Sequence, residues 1–238
     1  MRCMDCWDSS ANAAIMWQCL PVPVFGNHTS PSVRVATVGL NPSATEFVNN
    51  IGDWKPATKR LPLVTDFGVR ERNYMSVENL ELAANLRATY FERPYHSWFN
   101  SLQNLLSAVN IDWNYSTGTA VHLDLVACGT WRAWGKMSER TTDELVRNCH
   151  QHLKRTLTEM SDETLLLLDG SKVHTTLAAY FGIDEPVETE IGNVTAWRGS
   201  LQIEGKCFQY KGWNMPINYL PPPNRHDLVS WLRGEITQ

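Results

Sequence analysis

The sequence has no apolar run long enough to span a lipid bilayer, which argues against a helical membrane protein. Its first residues, 1 to 19, carry two aspartates and no long apolar stretch, so we expect no signal peptide. Cysteine is sparse, with six in a chain of 238 residues. This number does not suggest a disulfide framework, and reduced thiols fit a cytosolic protein. We therefore predict a cytoplasmic protein that does not bind a membrane.

An excess of positive charge is also missing. The formal net charge of −4 argues against a protein that coats nucleic acid, but it permits one that grips a few phosphates through a local basic face. Two stretches are locally basic, namely residues 52 to 72 and the loop with Arg132, Lys136 and Arg140. They are either such a face or ordinary solvated surface. Nor is there a phosphate-binding loop, so nothing supports a nucleotide hydrolase.

What the sequence does contain is ample material for a core, with 43% hydrophobic residues and ten tryptophans. No linker, repeat or low-complexity tract is visible, so we expect a single domain over residues 1–238. Strand patterns at 33–38, 119–127, 165–168 and 205–213 alternate with helical patterns at 76–90, 97–109, 142–160, 171–181 and 227–233. A weaker helical pattern covers 7–18. This alternation predicts a parallel sheet with helices on both faces.

The first of these strands ends in a segment that favours a binding site. Gly39 permits a turn, and Pro42 keeps Asn41 out of the helical region, so that its amide points out of the turn. Ser43 is suited to a helix N-cap. Because open α/β sheets bind ligands at the carboxyl ends of their strands, we expect a site here.

The segment Gly39-Leu40-Asn41-Pro42-Ser43 after a buried strand resembles the first motif of the uracil-DNA glycosylase superfamily, in the branch whose catalytic residue is Asn. The resemblance implies an α/β fold with three layers, α/β/α, around a central four-stranded, mainly parallel sheet. It gives Asn41 the catalytic role of orienting a water through its side-chain carbonyl. Contacts with the flipped base would come from Gly39, Leu40, Pro42 and Ser43. An aromatic residue downstream stacks on the base in this superfamily; Phe47 is the candidate, and it is equally suited to the core.

The second strand contains Asp124, which is unexpected in a buried position because an unpaired buried carboxylate is costly. Uracil-specific members of the superfamily carry an Asn on the equivalent strand, which pairs with the pyrimidine. An ionised Asp only accepts hydrogen bonds, which suits the exocyclic amine of cytosine better than the carbonyls of uracil. Asp124 therefore suggests a modified cytosine as the target. Alternatively, it is a structural residue bonded to a nearby loop or an arginine.

The second motif of the superfamily, usually His-Pro-Ser, is absent, and the segment from Trp213 to His226 stands in its place. Asn218 is the second catalytic candidate, with His226 as its rival for contact with the base. Tyr219 or Leu220 would wedge into the base stack. The candidates for contact with DNA phosphates are basic: Lys59, Arg60, Lys136 and Arg225. A stiff, proline-rich surface loop with no DNA role is the alternative for this segment.

The reaction itself requires no metal, because a positioned water and electrostatic stabilisation suffice to break an N-glycosidic bond. We therefore expect no cofactor. The alternative lies in the cysteines: Cys3, Cys6, Cys128 and Cys149 resemble the layout of superfamily branches that hold a four-iron, four-sulfur cluster on four thiolates. Those branches carry a different first motif, and free thiols are the usual state of such residues.

Together these features predict a monofunctional DNA glycosylase that flips a pyrimidine out of the stack and hydrolyses it from deoxyribose, leaving an abasic site. The base is uracil or a modified cytosine, and the role is base-excision repair or antiviral defence against phage DNA. DNA is the expected partner, and the chain is expected to be a monomer. The alternative is a non-catalytic nucleic-acid or nucleotide-binding module on the same fold.

Overall fold

The structure is a computed structural model that describes residues 6, 9–48, 60–68, 76–184 and 186–235. The chain divides into two compact units, each assembled from three stretches of sequence. Unit one consists of Met1–Asn27, Leu40–Tyr95 and Asp124–Thr156, and unit two of His28–Gly39, His96–Leu123 and Leu157–Gln238. The expected single domain stays a prediction.

The described residues contain seven strands: β1 (Val24–Phe25), β2 (Val35–Gly39), β3 (Ala120–Asp124), β4 (Leu165–Asp169), β5 (Val187–Ile191), β6 (Val194–Ile203) and β7 (Lys206–Trp213). They also contain five α-helices: α1 (Val77–Ala88), α2 (His96–Val109), α3 (Glu139–Glu159), α4 (Ser171–Phe181) and α5 (Pro222–Arg233). None of these helices is both long enough and apolar enough to cross a membrane.

Unit two is built on a mixed sheet in which the strands follow the order β3-β2-β4-β7-β6-β5. β2 pairs with β4, and β4 with β7, in parallel. β7, β6 and β5 are successive antiparallel neighbours. All five residues of β2 are buried, and so are the last four of β4, as expected for strands covered on both faces. The α/β class is therefore confirmed.

The predicted four-stranded sheet is wrong, because the described residues form seven strands, of which β1, β5 and β6 were not expected. β5 exposes most of its residues and consists largely of glutamate and threonine, so it lacks an apolar alternation. β6 and β7 form a hairpin whose turn residues, Glu204 and Gly205, have φ of 49° and 82°. Both values are positive, as a tight hairpin turn requires. The predicted last strand began at Gly205, inside this turn, and so missed the strand before it.

The helical patterns located α1 to α4 closely, while the two ends of the chain differ. Ser76 caps α1 as expected, since its Oγ accepts a hydrogen bond from the N–H of Asn79 (3.3 Å). α5 begins at Pro222, five residues before its predicted start, because the fixed φ of proline suits the first turn of a helix. The helix predicted at 7–18 is reduced to a short 3₁₀ helix, Ser10–Ala13, and residues 7 and 8 lie outside the described residues.

Candidate active site

The segments that follow β2 and β3 meet in unit one. The carbonyl of Leu40 accepts a hydrogen bond from the backbone N–H of Val126 (2.9 Å). Further along, the ring of Phe47 packs against Gly129, where an added Cβ would lie 3.0 Å from Phe47 Cε2. Glycine is therefore needed at that position for the two segments to approach each other. The contact places the predicted Asn41 motif beside the end of the second predicted strand.

The side-chain amide of Asn41 is held in one orientation. Its Nδ2 donates to the carbonyl of Pro42 (3.0 Å) and to Oγ1 of Thr130 (3.1 Å). The hydroxyl proton of Thr130 is directed elsewhere, to the carbonyl of Arg132 (2.7 Å), so Thr130 can only accept from Asn41. The amide nitrogen is thereby distinguished from the oxygen. No donor among the described residues reaches Asn41 Oδ1, and the side chain is only half-buried.

Glu46 is a buried acid that the sequence did not single out. Its carboxylate accepts a hydrogen bond from the hydroxyl of Tyr90, which in turn accepts one from the N–H of Tyr95 (2.9 Å). Burial raises the pKa of Glu46 to about 7; the Tyr90 hydrogen bond and Arg60 lower it, and the nearby Asp124 raises it. A carboxyl group whose pKa lies near neutrality is typical of functional sites.

Arg60, predicted to contact DNA, is half-buried and makes contacts within unit one. Its guanidinium donates to the carbonyl of Thr45 (2.8 Å) and lies over the ring of Tyr95, 4.8 Å from the centroid. The backbone N–H groups of Arg60 and Leu61 both donate to the carbonyl of Glu46 (3.0 and 2.9 Å). The segment 60–61 is thus attached to the turn that follows Asn41, and the charge of Arg60 faces the buried acids.

Asp124, the last residue of β3, is only 3% exposed. Its backbone N–H donates to the carbonyl of Pro23 (3.3 Å), and its carboxylate is close enough to Glu46 to raise the pKa of that residue. Unit one therefore contains the predicted water-orienting amide, the predicted base-reading acid and a second acid, and the two acids are near enough to interact electrostatically. Two carboxyl groups this close disfavour simultaneous ionisation.

The other predicted residues of this site differ in exposure. Pro42 is buried, Leu40 is half-buried and Ser43 is exposed, where its Oγ accepts from the N–H of Thr45 (3.3 Å). Phe47 has no exposed surface, so its ring presents no face to a base in this structure. Lys136 is exposed on a short 3₁₀ helix, Trp134–Lys136, and Lys59 lies outside the described residues.

The residues predicted from the missing second motif belong to unit two. Tyr219 is 73% exposed, whereas Leu220 is 3% exposed and packs inside, so of the two proposed wedges only the tyrosine presents its side chain. Arg225 Nε donates to the carbonyl of Leu220 (2.8 Å), and His226 is exposed on α5. The amide nitrogen of Asn218 is buried and has no hydrogen-bond partner among the described residues.

A second group of polar atoms surrounds the turn after β7, also in unit two. Asp169, which ends β4 and is 4% exposed, accepts through Oδ1 from Trp213 Nε1 (3.0 Å) and from the N–H of Ile217 (2.8 Å). Its Oδ2 and Asn214 Oδ1 are buried without partners among the described residues. Burial raises the pKa of Asp169 to about 6, while the Ile217 hydrogen bond and His122 lower it. The sequence did not single out Asp169.

Three residues of unit one could hold a metal: the Sγ atoms of Cys6, Cys128 and Cys149 all lie within 4.8 Å of one another. Cys3, the fourth predicted cluster ligand, lies outside the described residues.

Comparison of the chain with protein-family models, with curated proteins and with solved structures found no match.

Proposed function

We propose that the chain is a monofunctional DNA glycosylase that hydrolyses the N-glycosidic bond of a flipped-out pyrimidine and leaves an abasic site. The observation that carries the proposal is the amide of Asn41, whose nitrogen is engaged twice and whose oxygen remains an open acceptor. A catalytic amide that orients a water needs this arrangement, because the water donates a proton to the carbonyl and must find it in a fixed direction.

The chemistry assigned to this site is a displacement at the anomeric carbon. The departing base takes the electron pair of its bond to C1′, and the sugar develops oxocarbenium character. The water held by Asn41 Oδ1 forms the new bond to C1′, and one of its protons ends on the base, so that a hydroxylated sugar and a free base result. Asn41 does not need to act as a base, because the developing cation makes C1′ reactive toward neutral water.

The acids of unit one support a target with an exocyclic amine. Asp124 accepts hydrogen bonds when it is ionised, and the amine of a cytosine donates them. The pKa of Glu46 is raised to about 7, chiefly by burial, so this second acid retains a proton in part of the chain population near neutral pH. We therefore propose that the preferred substrate is a cytosine-like modified base in DNA rather than uracil. The proposed role is cytoplasmic, in DNA repair or in defence against phage DNA.

The test is incubation of the purified chain with duplexes that contain uracil, hypoxanthine, hydroxymethylcytosine or glucosylated hydroxymethylcytosine, scored for abasic sites. We expect an abasic product from at least one pyrimidine and none from an unmodified duplex. Binding of DNA without any abasic product on this panel would instead favour the non-catalytic binding module.

A further inference from the structure

The thiols of unit one come from three segments that are far apart in the sequence. Cys6 precedes the first 3₁₀ helix, Cys128 lies four residues after β3, and Cys149 is in the middle of α3. Cys6 and Cys149 have no exposed surface, and Cys128 is 8% exposed. The Sγ atoms of Cys6 and Cys149 are 3.9 Å apart, and all three sulfurs fall within 4.8 Å of one another. Three sulfurs thus converge on one point.

The surroundings of this point are apolar. The three thiols belong to a buried cluster with the aliphatic side chains of Ala11, Ile15, Val126, Leu145 and Val146. Trp134 and Met137 are partly buried and pack against this cluster. Thiolates are soft ligands that select zinc and other thiophilic metals over magnesium or calcium. An apolar shell also excludes water, which would otherwise compete for the coordination positions.

The spacing of the sulfurs discriminates between two kinds of metal site. A single tetrahedral ion with metal–sulfur bonds of about 2.3 Å holds its thiolates about 3.8 Å apart. In a four-iron cluster each thiolate binds a different iron, so the sulfurs must lie farther apart around a larger body. One observed separation, 3.9 Å, equals that of a single ion within about 0.1 Å, and the other two are at most 4.8 Å, which is too short for thiolates arranged around a four-iron cluster. The four-iron cluster suggested by the resemblance therefore does not fit these residues.

We propose that Cys6, Cys128 and Cys149 supply three ligands to one mononuclear zinc ion, which fastens the chain before the first 3₁₀ helix to the β3 end and to α3. The ion binds the deprotonated thiols, so loading releases their protons. Because no step of the glycosylase reaction passes through this site, the proposal stands independently of the proposed function. Its role is structural. It adds to the hydrogen bonds that already join these three segments of unit one, such as Asn148 Nδ2 to Ser9 Oγ (3.2 Å) and the N–H of Met16 to the carbonyl of Gly129 (2.8 Å).

The test is metal analysis of the intact chain as purified, followed by removal of the metal with a chelator and titration with Co²⁺. We expect about one zinc per chain, and on Co²⁺ addition a thiolate charge-transfer band with the strong visible bands of tetrahedral coordination. Cys6→Ser, Cys128→Ser and Cys149→Ser should each lose the bound zinc. The matched control is Cys207→Ser, since that exposed thiol belongs to β7 and should retain the full zinc content.

Two results would overturn the proposal. Iron and inorganic sulfide in equal amounts with a broad visible absorption would show a cluster in place of the single ion. A wild-type chain that neither carries zinc nor binds Co²⁺ would show that the three thiols only pack together. The metal analysis and the Co²⁺ titration both use the wild-type chain. They therefore test the zinc site even if a serine variant does not fold.

Discussion

At the scale of single residues, the proposed role of Asn41 in orienting a water depends on the neighbours that fix the direction of its amide. Thr130 is the important neighbour, because its hydroxyl donates a hydrogen bond to the carbonyl of Arg132 and can therefore only accept one from the amide nitrogen of Asn41. Neither Thr130 nor Glu46 is identifiable from the sequence, since their roles depend on contacts between segments far apart in the chain. Asn41 and Asp124 were identifiable, one from a motif and the other from a charge in an apolar strand.

Thr130→Val tests this positioning role. Valine has nearly the same shape but cannot accept the hydrogen bond from Asn41, so the amide is free to rotate. We expect the rate of base release to fall on the order of tenfold with little change in KM. Thr130→Ser keeps the hydroxyl and should retain most of the rate. Single-turnover measurements on both variants are the check; equal losses would contradict a positioning role.

Asp124→Asn tests whether this residue reads the base. Asparagine offers both a donor and an acceptor, so the variant should gain activity on uracil relative to hydroxymethylcytosine, by about tenfold in the ratio of the two rates. Asp112→Asn, an exposed change of the same kind, should leave the ratio unaltered. If the ratio is the same in wild type and Asp124→Asn, the acid has no part in base selection.

At the scale of elements, the patterns that depend on periodicity were predictable. β2 and β4 are continuous apolar runs and α2 buries apolar residues at helical spacing, so the sequence alone places all three within a few residues. β5 and β6 were not predictable, because β5 is a strand through its pairing with β6, and β6 through its pairing with β7, rather than through an apolar alternation. The antiparallel pairing of these three strands makes the sheet mixed.

The contact between the segment after β2 and the segment after β3 can be tested with Gly129→Ala. The added methyl would lie 3.0 Å from Phe47 Cε2, closer than ordinary van der Waals contact, and the ring has no exposed surface. We expect a loss of about 1–3 kcal/mol in the free energy of unfolding. Gly135→Ala is the control, since a Cβ there meets no atom within 4 Å. Similar stability of the two variants in urea would show that the segments are not closely packed.

At the scale of the whole molecule, the buried acids make stability depend on pH. Because burial raises the pKa of Glu46 from 4.5 to about 7, the folded chain retains a proton that the unfolded chain releases in that range. The free energy of unfolding therefore decreases as the pH rises from about 4.5 to about 7 and is level above it. Asp169, with a pKa raised from 3.8 to about 6, contributes in the same direction over its own range.

Glu46→Gln removes one of these contributions while its amide oxygen still accepts from Tyr90. The free energy of unfolding of the variant minus that of wild type should increase by on the order of 2 kcal/mol when the pH is raised from about 5 to about 8. Urea unfolding of both proteins at the two pH values measures the difference. A stability difference between variant and wild type that is the same at both values would place the Glu46 carboxyl in contact with water.

The most direct test of the central claim is the single-turnover rate of base release by Asn41→Ala, measured together with its affinity for the same duplex. We predict a loss of rate on the order of 10²-fold or more with unchanged affinity, because the amide orients the water and does not hold the DNA. Asn193→Ala, in an exposed turn, should match wild type in both quantities. An Asn41→Ala protein that releases the base at the wild-type rate would contradict the claim that this amide carries the reaction.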